Sequence, residues 1–223
     1  VEQAYITIKQ SHFNYEQTIK KSRFIVQMQR VQTEEEARNF IQQVKKEHAK
    51  ANHNVWTYVL GRQSEIQRAS DDGEPSGTAG TPMLEVLNNN HIKDVVVVQT
   101  RYFGGIKLGA GGLIRAYAGT LAEAVVAVGL VQRVAQTELV ITIEYAQFER
   151  IKYWLTEYSL AINETNFTDQ VSLIVPVNEH ELDLIKDQLI DLTHGQVDLT
   201  IRGQIWNEIP FQRSINGQTK TRY

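Results

Sequence analysis

VVVVQTRYFGGIKLGAGGLIRAYAGTLAEAVVAVG, residues 95–129, is the stretch on which the reading of this chain turns. Its four consecutive valines, Val95 to Val98, suit a short strand buried on both faces. Leu113, Tyr117, Leu121, Ala124 and Val128 fall at helical spacing and predict a helix over residues 112–128. Between them come Gly104, Gly105, Gly109, Gly111 and Gly112, with Arg101, Lys107 and Arg115 and no acid from Gln99 through Leu121. A glycine-rich turn lets backbone approach a ligand closely, and a helix N-terminus offers unpaired N–H groups and a partial positive charge. Several of these glycines are equally expected to serve only tight turns and close packing. The uncompensated cations tilt the loop toward anion binding. It is neither of the named phosphate loops: Ala110 and Gly111 stand where a Walker loop needs Lys and Ser/Thr, and Ile114 replaces the third glycine of a dinucleotide fingerprint.

N-terminal to this stretch, strands are expected at residues 5–8 and 22–30, joined by polar sequence that includes Lys20 and Lys21. Thr33 and Glu36 make a capping box for a helix with Ala37, Phe40, Ile41 and Val44 on one face. Strands at 54–60 and 65–69 follow, then the turn-rich SDDGEPSGTAGTP, residues 70–82, and a short helix ending at Asn89. Without a regular βαβ repeat the class is α+β. After Val131 the pattern gives a strand at 139–145 and a helix marked by Phe148, Ile151, Trp154 or Leu155, and Tyr158. Strands at 162–167 and 171–177, a helix through Leu182, Ile185, Leu189 and Leu192, and a strand from Val197 to Trp206 complete it. That order, β-α-β-β-α-β, is ferredoxin-like.

The 223 residues contain no cysteine, which excludes disulfides, thiolate chemistry and Cys-based zinc sites. No run approaches the ~20 apolar residues of a membrane span, and the first residues lack a signal-peptide apolar core. A cytoplasmic protein with no membrane association is expected. The net charge of −3 is uneven: residues 1–134 carry 16 Lys+Arg against 13 Asp+Glu, and residues 135–209 carry 4 against 13. The expected organisation is therefore a first domain over 1–134, a ferredoxin-like domain over 135–209, and a polar basic tail over 210–223. A basic face for nucleic acid belongs on the first domain.

Asp71, Asp72 and Glu74 cluster in the turn-rich segment. Hard cations take carboxylate oxygens, so these acids are candidates to hold Mg²⁺ near a phosphate. The reading that these acids are ordinary turn residues, or partners of Arg101 or Arg115, is the favoured one, because loop acids are common in turns. Ser76, Thr78 and Thr81 offer hydroxyls to the same site or cap the following helix. The six histidines form no metal pair, and His53 is expected to hydrogen-bond within the fold. No nucleophile elbow occurs and no catalytic residue can be named, so the enzyme question leans toward no.

Together SDDGEPSGTAGTPML and VVVVQTRYFGGIKLGAGGLIRAY, in that order and spacing, with Ala51 and His53 upstream, resemble the signature of the YigZ/Impact family. The match covers residues 15–130, and the remainder resembles the added C-terminal domain of bacterial YigZ-type members. The resemblance implies an N-terminal domain similar to the second domain of ribosomal protein S5. It also implies a C-terminal domain similar to the last domain of elongation factor G. Eukaryotic Impact proteins regulate translation with a further N-terminal domain, so their mechanism does not transfer to this chain.

The function expected is a translation-linked regulator that binds RNA or the ribosome. Arg101, Lys107 and Arg115 would touch phosphate, beside the amides of Gly104, Gly105, Gly111 and Gly112, and Tyr102 and Phe103 would stack on a base unless Phe103 is core. The acidic second domain would meet a basic ribosomal protein or fix the arrangement of domains or subunits. The alternative is a nucleotide- or phosphate-binding enzyme: residues 109–116 are loosely similar to the phosphate loop of small-molecule kinases sharing the S5-like fold. Asp71, Asp72 and Glu74 would then supply magnesium or a general base. A third reading makes the loop an architectural part of a protein-interaction module.

Overall fold

A computed structural model describes residues 4–211. The chain separates into two compact units, one formed by Tyr5–Gln132 with residues 209–211 and one by Arg133–Glu208.

In the first unit, β1 (Tyr5–Ile8), β2 (His12–Ile19) and β3 (Ser22–Arg30) lead into α1 (Glu34–Glu47). Thr33 caps α1 by accepting the Glu36 N–H at 3.2 Å, and the Glu36 carboxylate accepts the Gln32 N–H at 2.7 Å. Then follow β4 (His53–Leu60), β5 (Ile66–Ser70), α2 (Gly80–Asn89), β6 (Val95–Tyr102) and α3 (Ala110–Val128). The sheet order is β2-β3-β6-β4-β5, so the valine strand lies at its centre. Successive strand side chains point to opposite faces, and the valines divide accordingly. Val95 and Val97 pack with Phe24, Val26, Met28, Met83, Leu113, Tyr117 and Leu121, under α2 and α3. Val96 and Val98 pack with Phe40, Ile41, Val44 and Tyr58 under α1. Helices on both faces explain why this strand reads as an unbroken apolar run.

Two expectations change here. The polar sequence before residue 22 is a strand, β2, whose residues alternate between half-buried and exposed at the sheet edge. Phe13, Tyr15 and Ile19 carry the alternation, and the interleaved polar residues conceal it in a sequence scan. Secondly, α3 is long and apolar enough to span a membrane by length and composition, because only Arg115 and Glu123 interrupt it. Its residues Leu113, Tyr117, Leu121, Ala124 and Val128 are buried in the core of the unit.

In the second unit, β7 (Leu130–Ile143), α4 (Phe148–Glu157), β8 (Glu164–Phe167), β9 (Val171–Asn178), α5 (Leu182–Thr193) and β10 (Asp198–Phe211) follow in sequence. Among these four strands the order is β10-β7-β9-β8, with β7–β9 and β8–β9 antiparallel, which is the ferredoxin-like arrangement. Ile151, Leu155, Leu182, Ile185 and Leu189 cover Leu139, Ile141, Leu173 and Val175 on one sheet face. The expected tail over 210–223 begins inside β10, and from residue 212 it lies outside the described residues.

Candidate functional site

β6 runs four residues beyond the valines, to Tyr102, and this decides the place of Arg101. Counting by twos from Val95, Arg101 falls on the face under α2 and α3, paired across the sheet with Phe24 on β3 and His53 on β4. It is 6% exposed, and its Nη1 donates to the Glu74 Oε1 at 2.7 Å. Tyr117 on α3 donates its hydroxyl to the same oxygen at 2.8 Å. Burial, followed by the charge of Glu74 and this hydrogen bond, pushes the Tyr117 hydroxyl far above its usual range, so it stays a neutral donor. The Glu74 Oε2 faces the Nε2 of His53 at 3.8 Å. The Nδ1 of His53 lies 2.9 Å from the Asp72 carbonyl, which can only accept, so Nδ1 carries a proton. An ion pair this deeply buried survives because each partner is held by the other and by further hydrogen bonds.

The other two acids of the turn segment are also engaged by protein groups. Asp71 Oδ1 accepts the N–H groups of Ala79 and Gly80 at 3.0 and 2.8 Å, and its Oδ2 accepts that of Gly77 at 2.8 Å. It thus caps α2 from eight residues before the Ala79 N-cap position, which has no cap bond from its own side chain. Asp72 Oδ1 meets Lys45 Nζ at 2.6 Å and its Oδ2 accepts the Asn54 N–H at 2.7 Å. A cation shared by Asp71, Asp72 and Glu74 would have to displace these donors, and among the described residues no three His, Asp or Glu side chains stand together as a metal site. The three carboxylates expected at a magnesium site are each engaged by protein donors: a helix N-terminus, a half-buried lysine and a buried arginine. Thr78 donates to the Pro75 carbonyl at 2.6 Å, Ser76 is exposed, and neither hydroxyl caps α2.

Above the ion pair the glycine loop reaches the surface. Gly104 is there for contact: a Cβ on it would overlap the backbone carbonyl of Lys21, and its N–H lies 3.3 Å from Ser22 Oγ. The loop therefore lies against the tip of the β2–β3 hairpin. That tip is a two-residue turn of Lys20 and Lys21, both with positive φ, 44° and 66°, where Asn or Gly is the usual choice. Gly109, φ 70°, precedes α3, whose first turn receives no side-chain cap. Gly111 lies beneath the Arg115 guanidinium, and Gly105 and Gly111 are exposed with Gly112 partly so. Lys20, Lys21, Lys107 and Arg115 are all exposed and have no ion-pair partner among the described residues.

The cationic residues expected in one loop thus separate into two layers. Lys107 and Arg115 stand on the surface; Arg101 lies beneath it with its charge matched. Tyr102 is half-buried, with its hydroxyl 3.0 Å from His48 Nδ1 and Arg23 over its ring. Phe103 is 45% exposed, its N–H held by Asn52 Oδ1 at 2.8 Å. Lys20 and Lys21 join this surface only through the fold, which brings residue 21 against residue 104. Their sole local signal is a pair of lysines before a strand.

These features define a two-domain α+β protein with a glycine loop over a buried ion pair. Residues 20–125 match the model of the Impact N-terminal domain, and residues 141–196 match a domain of unknown function, DUF1949. The chain is 43% identical over 196 residues to IMPACT family member YvyE of Bacillus subtilis, covering 88% of this chain and 90% of that protein. It is 34% identical over 183 residues to IMPACT family member YigZ of Escherichia coli, covering 81% and 90%. A solved structure described as that of an hypothetical protein aligns at 31% identity with a TM-score of 0.58, over 89% of this chain and 97% of the other. The chain belongs to the IMPACT family.

Proposed function

We propose that this protein is a cytoplasmic, translation-linked regulator that binds RNA, free or within the ribosome, through the surface formed by the glycine loop and the β2–β3 hairpin tip. The observation that carries the reading is the set of exposed cations Lys20, Lys21, Lys107 and Arg115 without acidic partners among the described residues. An exposed cation gains little from folding, whereas four of them beside exposed backbone amides suit phosphate oxygens. Membership in the IMPACT family supports the link to translation through the resemblance described above. Arg101 is assigned a different part from the one its sequence position suggests: it holds Glu74 and supports the loop instead of touching phosphate. The excess of acids over residues 135–209 suits a basic protein partner of the translation apparatus.

The test is co-sedimentation with ribosomes and with total RNA across a salt series, wild type beside a Lys20→Ala/Lys21→Ala/Lys107→Ala/Arg115→Ala variant of verified fold. Wild-type binding is expected to weaken with salt with a log–log slope no steeper than about −3 for four phosphate contacts on a single strand. The variant is expected to bind neither. Wild type that stays in the supernatant at the lowest salt would end this reading.

A further inference from the structure

We infer that the ligand of this surface is single-stranded RNA, with Phe103 serving as the platform on which one unpaired base stacks; the inference rests on the RNA-binding reading above. Phe103 is a large apolar side chain left 45% exposed at a loop that is otherwise fixed. Its N–H is held by Asn52, the next residue, Gly104, is pressed against the Lys21 backbone, and the preceding strand ends only one residue earlier. Beneath it the Arg101 guanidinium lies 5.6 Å from the Phe103 ring centre and 5.5 Å from that of the buried Phe24. The guanidinium is itself fixed by Glu74, so the ring rests on a support held from the core. A cation under an aromatic ring attracts its electron-rich face and sets the ring in one orientation without occupying all of its surface.

An exposed, pre-positioned aromatic ring beside cations that have no acidic partner among the described residues suits a flexible strand whose phosphates meet lysine while its bases stack. A duplex keeps its bases paired and presents chiefly phosphate and ribose, which leaves Phe103 without a role. Tyr102, the neighbouring aromatic at the end of β6, is turned to His48 and is not available in the same way. Phe103 is the stacking residue and Arg101 a positioning residue that acts through it.

The experiment is fluorescence anisotropy of the full chain with labelled oligouridine and oligoadenosine of about 12 nucleotides, a length within known single-strand site sizes, and with a duplex of equal length. Each is titrated over a salt series for wild type, Phe103→Ala, Phe103→Trp and Lys107→Ala/Arg115→Ala. Single strands are expected to bind more tightly than the duplex. Phe103→Ala should lose roughly tenfold in affinity for the single strand with its salt slope unchanged, and Phe103→Trp should keep it. The lysine–arginine variant should flatten the slope instead. Equal binding of duplex and single strand, or unaltered affinity of Phe103→Ala beside a flattened slope in the cation variant, would overturn the stacking role and leave RNA binding standing. Ribosome retention with no affinity for any naked RNA at low salt would move the surface onto a ribosomal protein and overturn both.

Discussion

In the N-terminal unit the ion pair of Arg101 and Glu74 lies between the central strand and helix α3, whereas in the second unit Arg202 reaches Glu138 and Glu164 on the sheet face turned from its helices. The first pair is almost wholly buried, with side-chain exposures of 7% and 4%; Arg202 and Glu164 are 48% and 47% exposed, and of the second set only Glu138, at 9%, is shut away from water. Both arrangements join residues far apart in sequence, and both use arginine with near-ideal donor–acceptor distances. Their energetics differ because water replaces a lost partner at the surface and cannot do so inside. A buried pair is also a rigid support. In this chain it stands beneath the glycine loop, so the arginine that supports the fold is distinct from the exposed cations Lys20, Lys21, Lys107 and Arg115.

Removing one member of the buried pair should give the largest effect. Arg101→Ala leaves the buried Glu74 with only Tyr117 and His53 beside it, and Glu74→Ala leaves the buried Arg101 without its carboxylate; each is expected to destabilise by about 3–5 kcal/mol. Replacing the network together, as Arg101→Met/Glu74→Met/Tyr117→Phe, should recover most of that loss, since no charge or hydroxyl is then left unpaired. Urea denaturation at neutral pH distinguishes the cases. Single variants that cost less than about 1 kcal/mol would place the pair, energetically, with an exposed bridge such as Arg202–Glu164.

A smaller effect is expected at Asp71, whose carboxylate accepts three N–H groups around the start of α2. Loss of an N-cap acceptor costs about 1–2 kcal/mol, so Asp71→Ala should lower stability by that amount and Asp71→Asn by less. The same variant sharpens the assignment of the acids. If millimolar Mg²⁺ raised the melting temperature of wild type and not of Asp71→Ala, the carboxylates would be metal ligands after all; equal curves with and without Mg²⁺ are expected.

Much of this fold was legible because burial leaves a periodic trace. The valine run, the stripe on α3 from Leu113 to Val128 and the β-α-β-β-α-β order after residue 131 all follow from which side chains meet the core. β2 was hidden because an edge strand leaves half of its residues polar. The site was legible in composition and not in arrangement. Arg101 reads as a loop cation only while β6 is ended at Val98; extending the alternation from Val95 and Val97 puts it on the buried face. Its pairing with Glu74, 27 residues away, depends on how the turn segment folds back over the strand, as does the cap that Asp71 supplies to Ala79 and Gly80. Lys20 and Lys21 join the surface only through the contact with Gly104.

The smallest effect is expected from Glu164→Gln, which removes only the exposed Arg202–Glu164 bridge and leaves Arg202 on Glu138, and it should depend on conditions in a way the buried pair does not. The Arg202 hydrogen bond, supported by that of Asn166, holds the Glu164 carboxyl below its ordinary value of 4.5. A carboxylate with a lowered pKa in the folded state contributes stability above its unfolded value, and the contribution is lost as pH falls through the folded one. The difference in melting temperature between wild type and Glu164→Gln should therefore be present at neutral pH and shrink in acid, and added salt should shrink it as well. The corresponding difference for Arg101→Ala should persist in high salt, since a pair shut away from solvent is little screened. If salt erased both differences alike, the contrast between an internal and a surface ion pair would fail, and with it the case that Arg101 supports the loop from within.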